Sequence, residues 1–332
     1  MRRWLVIWAS MMFLCACGTQ ETDSSPLVGE QESKHRVNDQ KQLTETGEPL
    51  LIYTTVFVLE DFIKKIGGDH VEVKNLIPIG VDAHTYEPSV REMIAVAESD
   101  GFFYSGGGME GFIESMMHSL RDEKVPMFEA SEGVEFIGGG HDHHHHGEED
   151  HHHDHHHGDR DPHVWIDPIR AIQLARNVKA GLQQLKPEAS EEFEKNFEQL
   201  VEQLEALDQS FLAMTESAER TMFLVAHAGY TYWEERYGLE QVAITGFSPM
   251  NEPSLQQVKE LIEFAEAHGL SHIGFERNYK IPIAEKLMEE LGGEAVYFNN
   301  LENVVQTDRD KGFDYFDLME QNVKTLERLL NE

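Results

Sequence analysis

Residues 138–168 read GGGHDHHHHGEEDHHHDHHHGDRDPHVWIDP. Within this stretch, residues 141–157 hold eleven of the chain's nineteen histidines, mixed with five carboxylates and one glycine. Imidazole is the commonest side-chain metal ligand, and a His-rich tract is a compositional sign of metal binding. The tract lacks apolar residues that could pack into a core, so we expect a solvated loop at 138–160. Its internal position and its interrupting acids argue against an expression tag.

The loop itself should provide several weak, exchanging metal sites, because flexible imidazoles lose conformational entropy when they chelate an ion. Zinc collection, sensing and handover all remain open as its role. Its candidate ligands are His141, His143, His144, His145, His146, His151, His152, His153, His155, His156 and His157.

The charge of the chain limits its partners. Its 332 residues include 61 acidic and 27 basic side chains, which gives a net charge of −34. Nucleic-acid binding needs a positive footprint, so we expect no nucleic-acid partner. The acidity is compatible with attraction of cations, although it could equally serve solubility alone.

The first residues have the character of a targeting segment. Arg2 and Arg3 precede an apolar run at residues 4–14, which is too short to span a bilayer and fits a signal peptide. The sequence LCACG then resembles a bacterial lipobox, so we predict a lipoprotein signal peptide at 1–17 and acylation of Cys17. Acylated Cys17 would attach the protein to membrane lipid. An ordinary cleaved signal is the alternative, and either segment predicts export.

The rest of the chain divides by composition and periodicity. Residues 18–49 are polar and without periodicity, as in a flexible tether. Alternating strand and helix patterns predict an N-terminal α/β lobe at 50–168 and a C-terminal α/β lobe at 219–332. The helical region between them, 169–218, includes a segment from 188 onward with no Gly or Pro. A helix of that length would extend roughly 45 Å and could join two lobes. A plain surface helix or a coiled-coil arm is the alternative.

Four side chains with metal-binding chemistry each follow a predicted strand. The strands and residues are 71–77 with His84, 134–137 and its insertion with His163, 221–226 with His227, and 295–298 with Glu302. In open α/β sheets, ligands bind beyond the carboxyl ends of the strands, so these side chains could meet in one cleft. Three imidazoles and one carboxylate suit Zn²⁺, whereas Mn²⁺ prefers more oxygen ligands.

Other candidates compete for the same role. Glu276 also stands at a strand end and is the main rival of Glu302 for the fourth position, and Glu110 is a further competing carboxylate. The remaining histidines lack this placement, and we interpret them as structural or surface residues. They are His35, His70, His118, His268 and His272.

Seven short segments together carry a family resemblance between about residues 50 and 330. They are Ile66–Asp69, Gly80–Pro88, Gly106–Phe112, Asp161–Pro168, His227–Leu239, Ser248–Ser254 and Asn300–Glu302. With DPHVW and HTYEP as the most specific motifs, the chain resembles the zinc- and manganese-binding lipoproteins of ABC importers, the ZnuA/AdcA type. An acidic His-rich insertion just before DPHVW is a feature of the zinc members.

The resemblance implies two (β/α)₄ lobes bridged by a long rigid α-helix, with the metal site in the interlobe cleft. It implies that His84, His163 and His227 are ligands. Glu302 stands at the position of the fourth ligand, which varies among members of the family. Manganese relatives tend to have a carboxylate at the position of His227, so the histidine favours zinc. The second-lobe disulfide of some zinc members has no counterpart, since Cys15 and Cys17 are the only cysteines.

The expected function is therefore an extracytoplasmic, high-affinity zinc-binding protein that delivers Zn²⁺ to the membrane permease of an ABC importer. We expect a monomer, lipid-anchored on the outer face of the cell membrane, or periplasmic in a Gram-negative cell. A manganese-binding protein of the same type, a zinc-dependent hydrolase, and a surface zinc buffer or adhesin are the alternatives. The chain has no H-E-x-x-H motif and no convincing Ser-His-Asp arrangement, so we do not expect an enzyme.

Overall fold

The computed structural model describes residues 47–138, 160–247, 253–278 and 281–332. The predictions for the signal peptide, for Cys17, for the tether up to residue 46 and for the eleven histidines of the tract lie outside these ranges. So does most of the Ser248–Ser254 motif.

The first half of the described chain contains a four-stranded parallel sheet with the order β2-β1-β3-β4. One of its two inner strands, β3, is buried along its whole length, as expected for a parallel sheet covered on both faces. Gly68, at φ 52°, ends the first helix in a conformation that glycine adopts readily. The elements are β1 (Leu50–Thr54), α1 (Phe57–Gly67), β2 (Val71–Asn75), α2 (Val90–Ala97), β3 (Gly101–Tyr104), α3 (Ile113–Ser119) and β4 (Met127–Glu129).

Two helices connect the halves. Helix α4 (Pro168–Leu185) begins with Asp167, whose carboxylate accepts from the first backbone amides, and with Pro168 in the first turn. Helix α5 (Ser190–Glu216) has 27 residues, which corresponds to about 40 Å. Its buried stripe recurs at three- and four-residue steps from Phe193 to Met214.

The second half repeats the pattern with a four-stranded parallel sheet of order β6-β5-β7-β8. Helix α5 packs against its fellow connecting helix α4, against α1 of the first half, and against α6 (Thr231–Tyr237) and α10 (Tyr315–Asn331) of the second. The predicted α/β class with two parallel four-stranded sheets is confirmed. The elements are β5 (Met222–His227), α6 (Thr231–Tyr237), β6 (Glu240–Thr245), α7 (Leu255–His268), β7 (Ile273–Glu276), α8 (Pro282–Leu291), β8 (Ala295–Phe298), α9 (Gln306–Asp310) and α10 (Tyr315–Asn331).

One predicted strand is wrong. The fourth strand of the first sheet is Met127–Glu129, and residues 134–137 form no strand. Phe128 stacks on Phe103 of β3, with 4.7 Å between ring centroids, which places residues 127–129 beside that strand. The apolar residues of 134–137 are instead half-buried against the core as irregular chain. Their alternation therefore reflects packing, not sheet pairing, and His163 does not follow a strand.

The His-rich insertion has a defined base. Gly138 pairs with Arg160 in an isolated antiparallel bridge, and the amide of Asp161 donates to the carbonyl of Ile137 at 3.0 Å. The residues that flank the insertion are thus paired with each other directly before His163.

Candidate metal centre

His84 lies in the loop between β2 and α2. Its backbone N–H donates to Oδ1 of Asp82 at 2.9 Å. Asn303, from the second half, donates through Nδ2 to the carbonyls of Pro78 (2.6 Å) and Val81 (3.1 Å) in the same loop. These contacts hold an otherwise irregular loop against the second half of the chain.

His163 lies in the segment that leads from the insertion into α4. Oδ1 of Asp161 accepts the backbone N–H of His163 at 2.9 Å and lies 2.7 Å from its Nδ1. Both side chains are fully buried. A carboxylate at Nδ1 orients the ring and leaves Nε2 as the ligand atom, an arrangement common at metal-binding histidines.

Glu302 lies in the loop after β8. The amides of Phe57 and Val58, at the start of α1, donate to the carbonyls of Glu302 (2.8 Å) and Leu301 (3.3 Å). Leu301 has φ 61° and is the one non-glycine residue in the described ranges with positive φ. Such strained backbone often accompanies functional sites. The side chain of Asn300 donates to Oε1 of Glu302 at 3.0 Å.

The ligand atoms of His84, His163 and Glu302 lie within 4.8 Å of one another. Nε2 of His163 is 3.3 Å from Nε2 of His84 and 2.9 Å from Oε1 of Glu302, and Nε2 of His84 is 3.8 Å from the same oxygen. Ligands bonded at about 2.0–2.1 Å to a tetrahedral zinc are separated by roughly 3.3 Å. The three atoms therefore already have the spacing of a zinc coordination shell.

His227, the last residue of β5, lies beside this group but outside it. Its ring centroid is 5.4 Å from that of His163, and the side chain is fully buried. Its Nδ1 lies 2.7 Å from Oε1 of Glu276, and that oxygen accepts a hydrogen bond from the hydroxyl of Tyr230 at 2.8 Å. Neither imidazole nitrogen of His227 makes a hydrogen bond within the described residues. Three of the four predicted ligands thus converge, and the fourth is adjacent with Glu276 behind it.

The other candidates have different surroundings. The buried carboxylate of Glu110 accepts from the amides of Ser105 (2.8 Å) and Gly106 (3.1 Å) and from the hydroxyl of Thr55, so it holds the turn after β3. His70 contacts Glu192 at 3.0 Å, and His268 bonds the carbonyl of Phe264 at 2.8 Å. His118 is exposed.

The electrostatics of the group favour a proton in the position of a metal. Burial lowers the pKa of His163, but Asp161 and Glu302 outweigh it and raise the pKa to about 10. Burial raises the pKa of Glu302, yet hydrogen bonding to His163 and His84 holds it well below its usual range. The raised pKa of His163 and the lowered pKa of Glu302 share one cause, the contact between the two side chains. His163 bonds Glu302 through one ring nitrogen and Asp161 through the other.

The sequence also contains a local pattern before the ligands that the motifs did not reveal. Each of the three converging ligands has an Asp or Asn two residues before it, and that side chain accepts the ligand's own backbone N–H. The pairs are Asp82 with His84 at 2.9 Å, Asp161 with His163 at 2.9 Å, and Asn300 with Glu302 at 3.3 Å. Asx turns of this kind stabilise irregular chain locally. His227 has no such turn, because the residue two positions before it is Val225, which has no side-chain acceptor.

Comparison with known proteins identifies the family of the chain. The profile of the family described as "Zinc-uptake complex component A periplasmic" (ZnuA) matches residues 52–329. The "Zinc-binding lipoprotein AdcA" of Streptococcus pneumoniae is 34% identical over 283 residues, which are 85% of this chain and 56% of AdcA. The chain therefore spans about half the length of that relative. The "High-affinity zinc uptake system protein ZnuA" of Bacillus subtilis is 32% identical over 321 residues, which are 97% of this chain and 95% of that protein.

Solved structures show the same fold. The Zn(II)-bound ZnuA-like domain of Streptococcus pneumoniae AdcA has a TM-score of 0.72 and 31% sequence identity, and the match covers 86% of this chain and 100% of that domain. AdcAII of the same organism has a TM-score of 0.75 at 27% identity, with 86% and 100% covered.

Proposed function

The chain belongs to the ZnuA family of zinc-uptake components, and we propose that it captures Zn²⁺ outside the cytoplasm with high affinity and delivers it to an ABC-type importer. The observation that carries this proposal is the convergence of His84, His163 and Glu302, whose ligand atoms lie within 4.8 Å of one another. Relatives named for zinc binding and zinc uptake over most of this chain support it.

We propose His84, His163, His227 and Glu302 as the four ligands of the transported zinc. Three nitrogens and one oxygen form a donor set that zinc accepts in tetrahedral geometry. His227 would complete the set by a shift of its ring toward His163. The same donor set is the argument against manganese, which prefers more oxygen ligands.

Membership of the family supports a proposal for the partner and the location of this chain. ZnuA-type proteins work with the permease of an importer, and we propose such a permease as the partner of this chain. Attachment to membrane lipid through Cys17, the monomeric state and the outer face of the membrane are further parts of the proposal. Among the residues that the structure describes, no helix is both long enough and apolar enough to cross a membrane.

The contacts of α5 with both halves support a modest closure on zinc binding, not a wide hinge motion. We propose that the chain forms two lobes, at 50–168 and 219–332, joined through 169–218. Small-angle scattering with and without zinc measures this closure, and a large compaction would contradict it.

A surface zinc buffer, in which the His-rich tract performs the whole function, makes a different prediction. In the proposed function, deletion of residues 141–157 removes weak zinc sites and leaves one tight site, whereas His163→Ala removes the tight site. Titration calorimetry on both variants measures this. Loss of all tight binding on deletion of the tract would establish the buffer instead.

A hydrolase would need a metal position open to water and a nearby general base. The family consists of solute-binding transport proteins, and we propose that this chain has no hydrolytic activity. Zinc-edge anomalous scattering and absorption spectroscopy identify the bound element and count its ligands. An exchangeable water in place of one of the four side chains would favour the hydrolase.

A further inference from the structure

The segment that carries His163 is held by aromatic side chains from the other half of the chain. Three of its carbonyl oxygens each accept a hydrogen bond from a fully buried ring. The donors and acceptors are Tyr232 hydroxyl to Asp161 (2.6 Å), Tyr315 hydroxyl to Trp165 (2.6 Å) and Trp233 Nε1 to Ile166 (2.8 Å). Tyr232 and Trp233 belong to α6, and Tyr315 begins α10.

This arrangement meets a need created by the backbone. Residues 161–166 belong to neither sheet, and only residues 164–166 form a short 3₁₀ turn. Buried carbonyl groups without a partner are strongly disfavoured, so irregular buried chain must find donors among side chains. Here the donors are large, rigid and without net charge, and they define the position of the segment.

The same segment is also tied to Glu302. The indole Nε1 of Trp165 donates to the carbonyl of Asn300 at 2.7 Å, and the side chain of Asn300 donates to Oε1 of Glu302 at 3.0 Å. At the other end, Asp161 holds His163 through two contacts. A shift of the Asp161 or Trp165 carbonyl would therefore change the distance between His163 and Glu302.

We propose that Tyr232 and Tyr315 are positioning residues of the zinc site, because their hydroxyls hold the backbone on both sides of His163 and so place its Nε2 against Glu302. Trp233 completes the support at Ile166. The proposal rests on the proposed function and adds to it the means by which His163 is fixed. It also makes His163 a ligand anchored on the second half of the chain, although it comes from the first.

A merely structural role would make a different prediction, and Tyr237 provides the matched control. Tyr237 lies on α6 like Tyr232, is buried, and donates its hydroxyl to Oδ1 of Asp208 on α5 at 3.0 Å. Its ring stacks on Phe211, with 5.0 Å between the centroids. Tyr237→Phe removes a buried tyrosine hydrogen bond, in this case to a carboxylate, without touching the His163 segment.

The experiment uses the full chain with Tyr232→Phe, Tyr315→Phe, Tyr237→Phe and His163→Ala. Zinc affinity is measured by competition with a chelator, the unfolding midpoint by thermal denaturation, and the ligand geometry by the visible absorption of the Co²⁺-loaded protein. We expect Tyr232→Phe and Tyr315→Phe each to weaken zinc binding about tenfold, the scale of one buried hydrogen bond, and to alter the Co²⁺ spectrum. Tyr237→Phe should lower the unfolding midpoint comparably and keep the zinc affinity and spectrum of the parent.

Three outcomes overturn the proposal in distinguishable ways. Wild-type zinc affinity and Co²⁺ spectrum in Tyr232→Phe and Tyr315→Phe, or an equal loss in Tyr237→Phe, would show that the tyrosines support only the fold. Tight zinc binding that survives His163→Ala would refute the site itself, and with it the proposed function.

Discussion

Nε2 of His163 lies 2.9 Å from Oε1 of Glu302, although 139 residues separate the two in the chain. The contact joins the segment before α4 to the loop after β8, and both groups are fully buried. A proton on Nε2 therefore lies between Nε2 of His163 and Oε1 of Glu302, where a metal ion would bind. Under the proposed function, capture of zinc would exchange that proton for the ion, so that no carboxylate would be left buried without a positive partner.

Zinc affinity should rise with pH. The pKa of His163 is raised to about 10, so the ring carries a proton at neutral pH that zinc must displace. We expect the association constant to increase about tenfold per pH unit between roughly pH 7 and 9, as for release of one proton. Calorimetry in buffers of different ionisation enthalpy counts the released protons directly. Asp161→Asn should flatten the dependence of zinc affinity on pH. A zinc affinity that does not change over this pH range would contradict the raised pKa of His163.

The zinc-free protein should show the opposite trend in stability. The folded pKa of His163 lies above its ordinary value of 6.5, so its protonated form stabilises the fold. That contribution is fully present below about pH 6.5 and is lost as the pH rises toward 10. Urea denaturation of the zinc-free protein across this range measures it. A His163→Ala variant, which lacks the titrating group, should lose less stability between the same limits.

Glu302→Gln and Glu276→Gln distinguish the two candidates for the fourth ligand. Glu302 lies within the three-atom group, whereas Glu276 contacts His227 and Tyr230. We expect Glu302→Gln to weaken zinc binding about 100-fold and Glu276→Gln about tenfold, since the second would lose only the support of His227. Glu110→Gln is the control that should keep the zinc affinity. The reverse order of the two losses would make Glu276 the ligand.

Gly229→Ala tests the position of His227. A Cβ at residue 229 would lie 2.6 Å from Nε2 of His227, closer than real side chains allow. The backbone of Gly229 does not have positive φ, so alanine itself fits the chain. We expect the imidazole to be displaced and zinc affinity to fall at least about tenfold. Gly47→Ala, where a Cβ meets nothing within 4 Å, is the control; equal affinity of both variants would show that the site does not depend on this ring position.

Arg309→Ala should reduce stability and leave zinc binding intact. Arg309, on α9, donates twice to the buried carboxylate of Glu60 on α1, at 3.0 and 2.8 Å. Burial raises the pKa of Glu60, but Arg309 and Lys64 more than offset this and lower it. Removal of the guanidinium should cost about 1–3 kcal/mol at neutral pH, measured by urea denaturation. Arg176→Ala, at an exposed position, should change stability by less than about 0.5 kcal/mol. A changed zinc affinity in Arg309→Ala would show that this ion pair also shapes the site.

Periodicity was sufficient for most of the fold. The predicted strands near residues 50, 71, 101, 222, 242, 273 and 295 are present, because buried parallel strands have a local apolar signature. The exception, residues 134–137, has the same alternation without a strand partner. An alternating apolar pattern indicates that one face of a segment is buried. It does not indicate which neighbouring segment buries that face.

The candidate site was likewise predictable from the sequence only in part. His84 and Glu302 were predicted as ligands because each follows a strand, and both converge with His163. Spacing alone had no means of choosing between Glu302 and Glu276, since both follow strands of one sheet. The buried aromatic donors Tyr232 and Tyr315 were indistinguishable from ordinary core residues, because their role depends on where a hydroxyl points.

The amino-acid sequence by itself determined the α/β class, the kinds of ligand atom and the candidate residues that could supply them. These properties depend on local composition and on periods of two and of three to four residues, which any single segment displays. Only the tertiary structure decided that the ligand atoms of His84, His163 and Glu302 meet within 4.8 Å while His227 stands beside them. The physical reason is that a contact of a few ångströms between residues 139 apart depends on the packing of both halves, and no local pattern encodes that distance.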